Sequence, residues 1–212
     1  GDSVMSLNFA NNNSLSAITT KPSGLSGGAL NLISTQTASS SATISFTSGI
    51  DSTYDEYVFK FINIHPQTQA NPPGTDDIGF LTFQGSTDTG SSYGVTMTST
   101  YFYATHSESG SSGFGYSTGN DLAQSTNFQR ISPEIGNDND QCVSGTLTLF
   151  NPSSTTFVKH FINTSQSTQR TDYSWNSYTA GYFNTTSAID AIQFKIDSGN
   201  IDSGVIKLYG IS

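Results

Sequence analysis

The stretch YDEYVFKFINIHP, residues 54–66, decides the fold class of this chain. Its apolar residues alternate with a period of two, the spacing at which successive side chains of a β-strand point to opposite faces. Because both faces carry apolar groups, we expect a central strand in a sheet that is covered on two sides. One face carries Tyr57, Phe59 and Phe61, and the other carries Val58, Lys60, Ile62 and Ile64.

The same alternation recurs from Ala29 onward, in short runs separated by clusters of Gly, Asn, Asp and Ser. No window shows the i, i+3, i+4, i+7 apolar spacing of an amphipathic helix, so we expect little helix. A count of about nine or ten short strands predicts an all-β, two-sheet sandwich that is jelly-roll-like. The other predicted strands are 42–46, 78–84, 95–104, 143–150, 156–163, 177–183, 188–196 and 204–211.

Residues 1–28 differ from the rest of the chain. They are rich in Asn, Ser, Thr and Gly, contain only short apolar clusters, and include the breakers Pro22 and Gly24. We therefore expect an extended N-terminal arm or linker over 1–28 and one β-sandwich domain over 29–212.

Composition excludes several classes of partner. Sixteen Asp and Glu against seven Lys and Arg give a net charge of −9, and the basic residues are scattered singly. No basic stripe is available to neutralise phosphates, so we expect neither a nucleic-acid partner nor an anionic membrane surface. The single cysteine, Cys142, excludes an intrachain disulfide and is expected to be a small buried apolar side chain.

The tetrapeptide Ile-Asp-Ser-Gly occurs twice, at 196–199 and 201–204. Alternating apolar residues flank it on both sides, which predicts the turn of a hairpin in which each Asp carboxylate accepts the N–H of Gly199 or Gly204. The alternative is a calcium site, but two carboxylates and Asn200 fall short of the six to eight oxygens that Ca²⁺ takes. We therefore predict no metal site.

No catalytic or cofactor-binding arrangement is predicted either. Residues 90–94 match the G-x-S-x-G pattern around Ser92, yet a strand follows where a nucleophile elbow needs a helix. A hairpin loop explains the segment better. His65, His106 and His160 are far apart and lack the spacing of zinc ligands. We expect a protein that is not an enzyme and uses no cofactor.

Two segments share the pattern Phe-Ile-Asn followed by Thr-Gln: FINIHPQTQ at 61–69 and FINTSQSTQ at 161–169. A duplicated binding loop is one explanation. Two equivalent strands that end in polar turns explain the similarity as well, and a repeat array would need at least three units.

Three aromatic residues are the candidate ligand-binding residues: Tyr116, Trp175 and Tyr178. They lie among Asn, Ser and Asp, so their rings could stack on a pyranose while neighbouring amides and carboxylates take its hydroxyls. Exposed aromatic residues are equally typical of subunit interfaces. Both alternatives remain open at this point.

Four segments of the chain resemble a family of β-rich virion structural proteins of tailed phages that infect marine bacteria. They are LISTQTASSSATISFTSGIDSTYDEYVFKFINIHP (32–66), DLAQSTNFQRIS (121–132), LFNPSSTTFVKHFINT (149–164) and SGNIDSGVIKLYGI (198–211). The resemblance implies a capsid decoration protein or a fibre or spike of head or tail. It supplies no catalytic residues.

The resemblance also implies a life cycle. We expect a protein that assembles in the host cytoplasm, is released in the virion by lysis, and contacts other capsid or tail proteins through the arm. The sandwich is expected to self-associate, as a homotrimer. The alternative function is a receptor-binding or carbohydrate-binding module that contacts a glycan on the host surface.

Overall fold

The computed structural model describes residues 29–67, 79–169 and 171–211, so the predicted arm over 1–28 lies outside the described residues. Those residues form twelve strands and no helix. The strands are β1 (Leu30–Ser41), β2 (Ile44–Phe46), β3 (Glu56–Pro66), β4 (Leu81–Ser86), β5 (Met97–Ser107), β6 (Ser112–Tyr116), β7 (Gln129–Arg130), β8 (Val143–Phe150), β9 (Lys159–Gln169), β10 (Tyr173–Phe183), β11 (Ala191–Ile196) and β12 (Ile201–Ile211).

The strands lie in two antiparallel sheets that form a jelly roll. Sheet A has the order β1-β12-β3-β8-β9-β10-β5-β6, and sheet B has the order β2-β11-β4-β7. The pairs β1–β12, β2–β11, β3–β8 and β4–β7 are nested along the chain and alternate between the two sheets. This is the pairing of an eight-stranded ribbon rolled into a sandwich. The predicted jelly-roll-like sandwich is confirmed.

Two inserted hairpins widen sheet A beyond sheet B. The hairpin β5–β6 interrupts the chain between β4 and β7, and the hairpin β9–β10 interrupts it between β8 and β11. The hairpin β9–β10 adds to sheet A next to β8 and the hairpin β5–β6 adds next to β10, and we call these four strands the annex. Phe83 of sheet B packs against Phe161 in β9 and Phe183 in β10, and elsewhere the segment 117–136, which contains β7, contacts the inner face of the annex. The backbone of Ser99 in β5, for example, donates to the carbonyl of Leu122 at 2.9 Å.

The jelly-roll core is aromatic. Six buried phenylalanines from both sheets meet there in edge-to-face and tilted contacts, with ring centroids 5.0–6.2 Å apart. Such pairs contribute about 0.5–1.5 kcal/mol beyond the burial of their area. The six are Phe46, Phe59, Phe83, Phe161, Phe183 and Phe194, of which Phe161 and Phe183 come from the annex strands β9 and β10.

Strand β3 is central in sheet A, as expected, but only its inner face is covered by the other sheet. Ile62 on the outer face is 42% exposed. At Asn63, which has φ of 50°, the register with β8 shifts, so that Ile64 turns inward and is fully buried. The expectation of two covered faces is therefore wrong for β3, because strict alternation does not continue through Asn63.

The doubled Ile-Asp-Ser-Gly is not a hairpin turn, because β11 lies in sheet B and β12 in sheet A. The Asp197 carboxylate accepts from the Phe80 N–H at 3.0 Å and pairs with Arg130, and Asp202 accepts from the Ser40 hydroxyl at 3.0 Å. Both carboxylates therefore bind distant segments instead of the predicted glycine N–H groups. The glycines do take the expected positive φ, 86° at Gly199 and 121° at Gly204.

Candidate functional site

Aromatic side chains line the outer face of the annex. Tyr178 in β10 is directly opposite Phe102 in β5, which is directly opposite Tyr116 in β6. The rings of Phe102 and Tyr178 stack with centroids 4.9 Å apart, and Phe114 adds a ring 5.9 Å from Phe102. We call these four residues the aromatic row. Phe114 is 75% exposed, Tyr116 53% and Tyr178 40%, so the row is an open apolar surface.

The sequence of β6 explains why its aromatic residues point outward. In SGFGY the glycines Gly113 and Gly115 alternate with Phe114 and Tyr116. On the inner face the Tyr103 hydroxyl occupies the space that a side chain at position 115 would need, since a Cβ there would lie 3.0 Å from that oxygen. A larger residue at position 115 would require Tyr103 to shift, so glycine fits the inner face and the large rings of β6 take the outer one.

A loop carboxylate fixes the end of the row. The Tyr116 hydroxyl donates to Asp121 Oδ2 at 2.6 Å. This hydrogen bond raises the pKa of Tyr116 above its ordinary value. The ring is held by its polar end while its face stays exposed, which suits a contact surface.

The structure separates the three predicted site residues. Tyr116 and Tyr178 lie on the outer face in the same row, whereas Trp175 lies on the inner face of β10. Its ring contacts Tyr103 with centroids 5.4 Å apart. Its indole nitrogen is buried and has no hydrogen-bond partner among the residues that the structure describes. Trp175 therefore cannot share a ligand with the other two.

Phe102 and Phe114 were not predicted as site residues from the sequence. Phe102 lies inside the strand predicted over 95–104. The sequence did not show that this strand pairs with the strand of Tyr178, and it is this pairing that places Phe102 directly opposite Tyr178. Phe114 precedes Tyr116 by two residues, which is the spacing of a shared face. The signal was present, but β6 was not recognised as a strand.

The predicted absence of a catalytic serine stays a prediction, although the geometry around Ser92 is informative. Its hydroxyl donates to Asp88 Oδ2 at 2.6 Å within the loop that joins β4 in sheet B to β5 in sheet A. Hydrogen bonds from the side chains of Ser86 and Ser92 lower the pKa of Asp88 to about 2. These contacts are those of a loop held by an ionised carboxylate, and the loop joins two sheets instead of closing a hairpin.

Two further features bear on chemistry. Within 29–67, 79–169 and 171–211, no three His, Cys, Asp or Glu residues converge as metal ligands would, and no helix could cross a membrane. Cys142 is half-buried, less than expected, and its sulfur lies 3.8 Å from Asn63 Oδ1. Partial burial raises the pKa of its thiol.

The aromatic row offers one kind of chemistry, the burial of flat apolar rings against a partner that supplies either its own apolar surface or the faces of sugar rings. No family model matches the chain, and neither does any curated protein or solved structure.

Proposed function

We propose that this protein is a structural component of a tailed-phage particle, a capsid decoration protein or a fibre or spike of head or tail. It attaches through residues 1–28 and self-associates through the β-sandwich as a homotrimer. The resemblance of four long segments to phage virion proteins supports this proposal. So does the jelly roll, an architecture that capsid proteins use repeatedly.

The observation that carries self-association is the pair of edge strands of sheet A, each of which has a neighbouring strand on one side only among the described residues. Strand β6 forms one edge and β1 the other, and neither contains a charged residue or a proline, the usual protection of an edge. Exposed apolar side chains accompany both edges on the same outer face. The aromatic row lies beside β6, while Leu30 and Leu32, 42% and 57% exposed, lie on β1.

Apolar surfaces at opposite ends of one sheet fit a head-to-tail contact. The β6 end of one copy would meet the β1 end of the next, so that rings and leucines are buried together and backbone edges pair. A head-to-tail contact that closes after three copies gives a ring-shaped trimer. No charge opposes the contact within either edge strand.

Native mass spectrometry and light scattering of Phe114→Lys test this contact. Because Phe114 is 75% exposed, the substitution leaves the fold intact while it places a charge on the edge, and we expect monomers in place of trimers. Phe157→Lys is the matched control, since Phe157 is 67% exposed but lies in the β8–β9 loop away from the row. A trimer that persists in Phe114→Lys, or a monomeric unmodified protein, would refute the contact.

Attachment through the arm has a separate test. A chain without residues 1–28 should still form trimers but fail to enter particles when it is supplied during assembly. Normal incorporation of the shortened chain would remove the arm from the proposal. Locating the chain in the density of intact particles would distinguish regular copies on the shell from a few copies at a tail or vertex.

Carbohydrate binding is the second candidate, and the observation that favours it is the stacked pair Phe102–Tyr178 beside Tyr116. On an array of defined glycans, Tyr178→Ala and Tyr116→Ala should lose any signal of the unmodified protein. Trp175→Phe should keep it, because Trp175 lies on the opposite face. The reverse pattern would move the glycan site away from the row.

A further inference from the structure

A polar cleft of about 420 Å³ lies beside the aromatic row, between the outer face of sheet B and the loop from β6 to β7. Asp121, which holds the Tyr116 hydroxyl through Oδ2, lines this cleft, so the two surfaces adjoin. We propose that the cleft binds the acidic group of a saccharide through Lys195. The proposal rests on the carbohydrate-binding candidate and assigns a ligand class and a second subsite to it.

Arg130 forms a fixed wall of the cleft and is not the binding group. One guanidinium nitrogen donates to Asn120 Oδ1 at 2.7 Å, and another pairs with Asp197 Oδ2 at 2.9 Å. The guanidinium also stacks over the Phe80 ring, 3.9 Å from its centroid. With its charge paired inside the protein, Arg130 has little left to offer an anion.

Lys195 is the cation that remains available. Its ammonium lies 4.2 Å from the centroid of Phe128, which also lines the cleft. The one ion pair in the described part of the chain is Arg130–Asp197, so Lys195 has no carboxylate partner there. A cation held over a ring is oriented without being neutralised, because the ring contributes only its quadrupole.

The remaining lining groups suit hydroxyls better than a bare anion. The amide of Asn127 and the second carboxylate oxygen of Asp121 have no hydrogen-bond partner among the described residues, and both can pair with sugar hydroxyls. The Asp121 carboxylate would repel a small inorganic anion, whereas a saccharide can present its hydroxyls to Asp121 and its acidic group to Lys195. The volume is within the roughly 300–1,000 Å³ of small-molecule sites.

The wall opposite sheet B is held in place before any ligand binds. The buried side chain of Gln84 donates from Nε2 to the backbone carbonyls of Thr126 and Asn127, each at 3.0 Å. This pins the loop that carries Asn127 and Phe128 onto β4. A pre-ordered wall lowers the entropy that a ligand loses on binding.

The test is a titration of ¹⁵N-labelled protein with trigalacturonate, galactotriose and inorganic phosphate in 0.15 M salt, where the net charge of −9 is screened beyond about 8 Å. We expect trigalacturonate to bind more tightly than the other two and to shift the Asn127 and Lys195 amides. Lys195→Gln should weaken that binding about tenfold, the usual effect of losing a charge-assisted hydrogen bond. Lys195→Arg should largely restore it.

Lys60→Gln is the matched control. The Lys60 ammonium also lies over an aromatic ring, 5.6 Å from the Tyr209 centroid, but it is on the outer face of sheet A and outside the cleft. Lys60→Gln should bind like the unmodified protein. Equal binding of trigalacturonate by Lys195→Gln, or phosphate binding as tight as the saccharide, would overturn the proposal. If galactotriose binds as tightly as trigalacturonate and its binding depends on Tyr116, the acidic-group subsite in the cleft is refuted, while carbohydrate binding at the aromatic row stands. If no saccharide binds, the carbohydrate candidate fails with it.

Discussion

Two different structures pack against the inner face of sheet A. Over the jelly roll, sheet B covers its inner face and the core is built from aromatic and aliphatic side chains. Over the annex, sheet B reaches only the ends that carry Phe161 and Phe183; elsewhere the segment 117–136 contacts the same face, and much of the buried material is polar. The buried polar residues of this region include Ser99, Gln129, Asn163, Ser165, Ser167, Ser177 and Thr179.

The difference follows from where the backbone N–H and C=O groups of sheet B and of the segment 117–136 find their hydrogen-bond partners. The strands of sheet B bond to one another, so apolar side chains can face them without leaving a peptide group unpaired. The segment 117–136 does this only in part, chiefly at β7, which pairs with β4. In the annex the side chains supply the missing donors: Asn163 Nδ2 and Ser165 Oγ donate to the Ile131 carbonyl at 2.6 and 2.9 Å, and Ser167 Oγ donates to the Glu134 carbonyl at 2.9 Å.

A sheet can therefore bury a polar face when its cover is largely a loop. The cost is incomplete pairing. Among the described residues, three of the four buried side-chain atoms without a hydrogen-bond partner belong to the annex, at Asn163, Trp175 and Thr179. Apolar packing should therefore contribute most of the stability of the jelly roll, while hydrogen bonds should contribute most of the stability of the annex.

The largest effect is expected in the jelly-roll core. Phe83 is fully buried and contacts the rings of Phe161, Phe183 and Phe194 at centroid distances of 5.0, 5.9 and 6.5 Å. Phe83→Ala removes these contacts and leaves a cavity, so we expect the free energy of unfolding to fall by about 3–5 kcal/mol. Urea denaturation measures it. A loss below about 1 kcal/mol would mean that this core is not closely packed.

A smaller, pH-dependent effect is expected where the annex meets its cover. Tyr101 is buried and its hydroxyl donates to the Ser132 carbonyl at 2.9 Å, and burial raises its pKa to about 12. The folded state therefore retains the proton above the unfolded pKa of about 10. This contribution is complete below pH 10 and is lost as the pH rises toward 12, at about 1.4 kcal/mol per pH unit.

Tyr101→Phe isolates this contribution, because phenylalanine has no proton to lose. At pH 7 we expect the variant to be less stable by about 1 kcal/mol, the net value of one hydrogen bond. Between pH 10 and 11.5 the unmodified protein should lose stability faster than the variant, and the order should reverse. Parallel denaturation curves across this range would show that the Tyr101 hydroxyl is not buried in the folded state.

The same contrast explains which parts of the fold were predictable. Strand β8 was predicted with its observed ends, Val143–Phe150, because its apolar residues alternate with polar ones. Strand β9 was predicted to end at Asn163 but continues to Gln169. Beyond Asn163 both faces are polar, so a pattern based on hydrophobic contrast cannot detect the strand. The polar half of FINTSQSTQ is thus a strand with one buried face and not a turn.

The candidate site was predictable in part for a related reason. Tyr116 and Tyr178 are exposed, as expected, but they lie beside Phe102 and Phe114 in an aromatic row and not in polar surroundings. Trp175 was grouped with Tyr178 because the strand was predicted to begin at 177, whereas β10 begins at Tyr173. Once both residues lie in one strand, a separation of three puts them on opposite faces. The face of a residue therefore depends on strand ends that a polar sequence does not mark.

The smallest expected effect has the opposite sign and tests the polar core most directly. The Thr179 hydroxyl is buried and has no partner in the described part of the chain, so its desolvation is not offset. Thr179→Val keeps the shape of the side chain and removes that cost, and we expect the protein to gain about 1 kcal/mol. Ser167→Ala on the same face is the control, since it deprives the Glu134 carbonyl of its donor and should lose about 1 kcal/mol. If both substitutions destabilise the protein equally, Thr179 has a partner, and buried water bonded to its hydroxyl is then part of the annex core.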